Sequence, residues 1–209
     1  MALAVQALSG EKKKITLNTG AGATDITGKA CTPYSFHWAY DTHALAVSTG
    51  GALVEAGGDS WFFLTADYAF GYSLEENTTK TVEAAGGKAL LFQGDLTAPA
   101  KVTELFDAAV AEFGGVDVAV NTVGKVLRKP ILETSEEEYD SMLDINAKAA
   151  YFFIKEAGRT LNDDGTLITI VTALLGAFTD GYSTYAGGKS PVEHFTRAAA
   201  KEFAEQFHA

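Results

Sequence analysis

Tyr185 and Lys189 stand four residues apart in the stretch YSTYAGGKSP. On a helix, residues at i and i+4 are neighbours on one face. A phenol with a pKa near ~10 is a poor acid or base at neutral pH, and an adjacent ammonium stabilises its phenolate and lowers that value. Such a pair can pass a proton to or from a bound oxygen, although by itself the spacing is common on helix surfaces. A second candidate lies in NTGAGATDITGK, residues 18–29, directly after the apolar run Ile15–Leu17. A dinucleotide-binding turn sets a pyrophosphate against the N-terminus of the helix that follows at once, with glycines allowing the close backbone approach. Gly20 and Gly22 fit the first two glycines of GxGxxG, but the third position is Asp25, whose carboxylate would face the phosphates. The alternative spacing TGxxxGxG meets Thr24 and Ile26. Pro33 interrupts, and the next helical pattern starts near Asp41. These residues read best as a glycine turn after a strand, with Gly20 and Gly22 the remaining candidates for a cofactor contact.

The elements that must carry these residues follow from the rest of the chain. Its 209 residues are 47% hydrophobic and 21% charged, ordinary for a globular protein. The net charge of −11 argues against a nucleic acid or an anionic membrane as partner. The single Cys31 permits no intrachain disulfide, and His37, His43, His194 and His208 show no ligand spacing, so no metal is expected. No run reaches the ~18 apolar residues of a membrane span. The N-terminus MALAVQALSGEKKK lacks a basic region before its apolar stretch, so it does not read as a secretory signal, and a cytoplasmic location is expected.

A short helix is predicted over Ala2 to Leu8 and a strand over Lys14–Asn18. Residues 21–35 form one long irregular stretch. Residues 41–57 predict a helix closed by Gly57-Gly58, and 71–85 another closed by Gly86-Gly87. Thr97 is expected to cap a helix whose Val102, Leu105, Phe106, Ala109, Val110 and Phe113 share a face. Ser135 and Glu138 form a capping box that opens a helix to about residue 160, and a last helix runs over 183–207, where Pro191 should bend it. Strands are predicted at 60–67, 88–93, 116–121 and 166–172. Short apolar strands between amphipathic helices imply an α/β fold, a three-layer αβα Rossmann-like sandwich with a parallel sheet of about five strands, in one domain over 1–209.

Two resemblances then emerge. ALAVQAL, NTGAGATDITGKACTPYSFHWAYDTHALA and GGDSWFFLTADYAFGYSLEENTT closely resemble the periplasmic amino-acid-binding proteins of ABC transporters, over about residues 1–87. That resemblance implies that GAGATDITGK is where the chain crosses between lobes, and that Asp67 and Tyr68 face a solute cleft. Asp67 also ends the second strand of the new sheet, where a Rossmann domain carries its ribose-binding acid. From residue 88, LLFQGDLT, VDVAVNTVGKVLRKPILETSEEEYDSMLDINAKAAYFFIKEAG and YSTYAGGKSPVEHFTRAAAKEF resemble the short-chain dehydrogenase/reductase family, over 88–207. That resemblance makes Asp95 the adenine-contacting acid, and Asn121 and Gly124 the ends of an Asn-Asn-Ala-Gly motif changed to NTVG. It makes Asn146, Tyr185 and Lys189 members of the catalytic tetrad, with Lys189 also holding a nicotinamide ribose. The tetrad serine is expected at Ala173, so Thr172 is the nearby hydroxyl that remains.

The resemblances further imply that the first two strand–helix units of the reductase, with their phosphate-binding glycines, are replaced by the binding-protein segment, and that elements following its Tyr–Lys helix are absent. Two families joined cleanly at an equivalent βα unit read as an engineered chimera, domain 1–209 with fragments 1–87 and 88–209, for which no native activity and no cofactor are expected. The alternatives are an NAD(P)-dependent short-chain oxidoreductase with residual cofactor binding and a small amino-acid solute-binding module. The apolar edge after 166–172 is a surface for pairing two copies into a homodimer.

Overall fold

A computed structural model describes residues 1–65 and 67–207, with side chains through residue 204. The chain divides into two compact units, Met1–Gln93 and Gly94–Ala209. The α/β class with parallel strands, expected from the alternating pattern, is what the structure has. Among the described residues the strands are six and pair in three two-stranded parallel ladders, instead of one hydrogen-bonded sheet of five.

In the first unit, α1 (Ala2–Lys12) leads to β1 (Thr16–Asn18), which pairs with β2 (Ser35–His37). β2 falls at the end of the stretch read from sequence as irregular. Its three residues lack the long apolar run that marks a buried strand. A short 3-10 turn, Thr24–Ile26, lies between β1 and β2 and buries Ile26. The predicted helix over 41–57 is α2 (Thr42–Leu45) and α3 (Ala52–Glu55) joined by a π turn, Ala46–Gly51. Asp41 caps it by accepting the Ala44 N–H at 2.8 Å. β3 (Ser60–Leu64) and β4 (Lys88–Phe92) pair from Ser60↔Lys88 to Leu64↔Phe92, and α4 (Ala69–Ala84) between them buries Val82.

In the second unit, α5 (Pro99–Phe113) buries Val102, Leu105, Phe106 and Ala109 of the predicted face and leaves Val110 and Phe113 half-buried. Thr97 does not cap it. The cap is Ala98, and the Thr97 hydroxyl donates instead to Asp95 at 2.8 Å. Pro99 explains the change, since its fixed φ starts the helix and it has no N–H to be capped. β5 (Val116–Asn121) pairs with β6 (Leu161–Thr169), with a register shift between Val116 and Val118. β6 ends three residues before the predicted limit, because the chain turns at Thr172 into a 3-10 turn. The Ser135–Glu138 capping box is present at α6 (Glu136–Leu143). The helix expected to reach residue 160 is interrupted by a π turn, Asp144–Lys148, before α7 (Ala149–Thr160). α8 (Ser183–Phe207) continues through Pro191.

The core of this unit lies where α7 meets α5. Phe106 and Phe153, both buried, pack edge to face with ring centroids 5.0 Å apart. Replacing Phe153 by Ala removes one ring and leaves a cavity, so a loss of roughly 3–5 kcal/mol is expected. Urea unfolding would measure it, and a midpoint unchanged from the parent would contradict this packing.

Candidate active site

Lys189 sits in the first half of α8, only 4% exposed. Its ammonium donates to the Val123 carbonyl at 2.7 Å and the Ile170 carbonyl at 3.1 Å. These carbonyls follow β5 and β6, so the lysine ties the ends of both paired strands to the helix. An ammonium has three hydrogens, which leaves one for a ligand. Burial holds its pKa below the ordinary lysine value.

Asn146 is completely buried in the π turn between α6 and α7. Its amide donates to the Lys125 carbonyl at 2.9 Å and the Met142 carbonyl at 3.0 Å, and its oxygen accepts the Lys125 N–H at 3.1 Å. The extra residue of a π turn swings a side chain out of the helical ladder, and such turns recur at functional sites. Gly124 makes the grouping sterically feasible. A Cβ there would fall 2.9 Å from both Asn146 Oδ1 and Lys189 Cε. Asn121, also buried, accepts the Val123 N–H on its side chain at 2.9 Å and the Ile170 N–H on its carbonyl at 2.9 Å. Asn121, Gly124, Asn146 and Lys189 are thus joined in one network.

Tyr185, one helical turn before Lys189, is half-buried. Its ring meets Tyr182 edge to face, centroids 6.4 Å apart, and its hydroxyl makes no hydrogen bond among the described residues. Tyr182 in turn carries the Arg128 guanidinium 5.7 Å above its ring. A cleft of about 540 Å3 opens beside Tyr182, with Ile131, Leu132, Leu174 and Phe178 in its walls. Thr172 is extended at the head of the 3-10 turn Ala173–Leu175, and its hydroxyl accepts the Leu174 N–H at 3.3 Å. Ala173, where a serine was expected, is exposed.

The remaining candidates lie outside this network. Asp95 is exposed and accepts the Thr97 N–H at 2.9 Å and the Thr97 hydroxyl at 2.8 Å. Gly20 and Gly22 lie in the first unit. There Asn18 Oδ1 accepts the N–H groups of both Gly20, at 3.3 Å, and Ala21, at 3.0 Å. Gly22 is packed against the Tyr40 and Phe70 rings. Amides already bonded to Asn18 are not aimed at a diphosphate, so this turn does not fit that part of a nucleotide cofactor. Asn18 was not singled out in the sequence, although an asparagine before a glycine is the signal of this kind of turn. Asp67 and Tyr68 are exposed. The Tyr72 hydroxyl donates to the Asp67 carboxylate, and Tyr68 stacks on Phe70.

With this geometry in hand, comparison with known proteins gives two families. The enoyl-(acyl carrier protein) reductase family matches residues 64–208, and the periplasmic binding protein family matches residues 1–126. A short chain dehydrogenase/reductase of Aspergillus aculeatus is 30% identical over 137 residues, 65% of this chain and 52% of that protein. An L-2,3-butanediol dehydrogenase of Corynebacterium glutamicum is 34% identical over 134 residues, 63% of this chain and 52% of that protein. The chain spans about half the length of these curated relatives. Among solved structures, a putative dehydrogenase from Burkholderia cenocepacia with bound NADP is 45% identical. It superposes with a TM-score of 0.70 over 93% of this chain and 65% of that one. A periplasmic binding protein from Burkholderia mallei is 34% identical, with a TM-score of 0.51 over 76% of this chain and 36% of that one.

Asp95 provides a check on local geometry. The Thr97 N–H, and then the Thr97 hydroxyl, hold its pKa below the ordinary 3.8. Its ionised form therefore favours the fold above pH 3.8, and this contribution disappears as the pH falls through the lowered native value. Thr97→Val removes only the hydroxyl, so NMR titration should find the Asp95 pKa raised part of the way back. An unchanged value would show that the hydroxyl bond is not made.

Proposed function

The chain belongs to two families, the short-chain reductases through residues 64–208 and the periplasmic binding proteins through residues 1–126, and from that premise we propose that it is an engineered hybrid of two α/β folds without native catalytic or transport activity. The observation that carries the proposal is the state of the glycine turn. The residues that the reductase resemblance marks for proton transfer lie between residues 121 and 189. The turn that would cradle a nucleotide diphosphate comes from the other family, and its Gly20 and Ala21 amides are bonded to Asn18. Ala173 removes the hydroxyl that would polarise a substrate carbonyl, and Thr172 already accepts a backbone N–H.

A second reading, an NAD(P)-dependent oxidoreductase, is favoured by one observation, the Asn121–Asn146–Lys189 network with Tyr185 one helical turn before Lys189. In that reading the Tyr185 phenol gives a proton to, or takes one from, an oxygen held in the cleft beside Tyr182.

Calorimetric titration with NADH and with NADPH, each to millimolar concentration, separates the readings. The hybrid reading expects no saturable heat from either. Saturable binding that Asp95→Ala abolishes would overturn it and put the oxidoreductase first.

A further inference from the structure

The β1–β2 ladder turns its polar side inward and its apolar side out. Side chains alternate along a strand. On one side stand Thr16, Asn18, Ser35 and His37, all half-buried. Their polar groups are matched locally. Asn18 accepts the Gly20 and Ala21 amides, the His37 imidazole donates to the Ala21 carbonyl at 2.7 Å, and the Ser35 hydroxyl bonds to that of Thr32 at 2.8 Å. On the other side stand Ile15, Leu17, Phe36 and Trp38, which are 72%, 69%, 52% and 84% exposed. Leu17 and Phe36 are directly opposite in the register. The pairing continues to Trp38, whose N–H donates to the Asn18 carbonyl at 2.8 Å. Ile15 lies two residues before Leu17, on the same side. A parallel ladder ordinarily has both faces covered. α1 packs against both strands, and the side that is half-buried is the polar one.

The chemistry of the open face selects what can cover it. None of its four residues carries a charge or a side-chain acceptor, so a nucleic acid, a lipid headgroup or a charged peptide finds no match there. The chain as a whole carries −11, so two copies repel wherever acidic surface meets acidic surface. An uncharged apolar face is where they meet at least cost. Large apolar side chains at these exposures present roughly 550 Å2, near the upper end for the largest patch of a monomer. Two such faces together bury about 1,100 Å2, just above the ~1,000 Å2 that a specific interface requires. A two-fold axis lets the patch meet itself.

We propose that Ile15, Leu17, Phe36 and Trp38 form the interface of a homodimer, in which the β1–β2 faces of two copies pack on one another. This surface shares no residue with the edge after 166–172, and it stands whether or not residues 94–209 bind a nucleotide.

Sedimentation equilibrium of the full chain, from micromolar to several hundred micromolar, tests the proposal. An interface of this size should give a monomer–dimer equilibrium with a Kd in the tens of micromolar. Added salt should tighten it, because salt screens the acidic surfaces and no ion pair lies in the interface. Trp38→Glu changes a side chain that is 84% exposed, so the fold is kept, as circular dichroism would confirm, and the Kd should rise at least about tenfold. Ile168→Lys blocks the β6 edge from pairing and should leave the Kd unchanged. In a Trp61→Phe variant Trp38 is the one tryptophan left, and its quenching by acrylamide should fall as protein concentration rises through the Kd. A monomer at every concentration, a Kd that Trp38→Glu leaves unchanged or that Ile168→Lys raises, association that salt weakens, or quenching independent of concentration would each overturn the proposal.

Discussion

A buried carboxamide left unpaired costs about 1–3 kcal/mol for each group it orphans, and Asn146 satisfies three backbone groups at once. That requirement organises the second unit. It holds the loop after β5 against the π turn, demands a glycine at 124, and leaves Lys189 between two carbonyls at the ends of β5 and β6. Asn121 closes the same loop from the strand side. The catalytic-looking arrangement is therefore also a structural one. Asn121, Asn146 and Lys189 would be kept by the fold even without a reaction to serve, because removing any of their side chains leaves backbone donors or acceptors unpaired. A well-formed reductase network therefore does not by itself establish a reaction.

The first unit follows the same rule with different residues. Asn18 takes up the amides of the glycine turn, and Gln6 donates to the carbonyls of Ile26 and Ala30. Thr24, Thr42, Ser73 and Asn77 bond to one another. Polar groups that could have met a phosphate are thus consumed internally.

Much of this was legible in the sequence where local physics dominates. The apolar face of α5 and the Ser135–Glu138 capping box were set by spacing alone. The incomplete glycine pattern already told against a dinucleotide turn. Three features were hidden for identifiable reasons. The π turns at Ala46–Gly51 and Asp144–Lys148 leave the apolar period nearly intact, so a continuous helix was the natural reading. β2 is too short to show alternation. Thr97 is a good cap by type, but Pro99 removed the need for it and Asp95 competed for its hydroxyl. For the site, Tyr185, Lys189 and Asn146 were identifiable from their motif. The carbonyls of Val123 and Ile170 were not, because backbone partners leave no mark on residue identity.

The central claim is that the reductase network is retained as structure without a working nucleotide site. Amide hydrogen exchange at Lys125 and Leu174, with and without millimolar NADPH, tests it most directly, since one amide lies in the Asn146 network and the other beside Thr172. The account predicts identical exchange in both conditions. Protection of either amide that grows and saturates with NADPH concentration would contradict it.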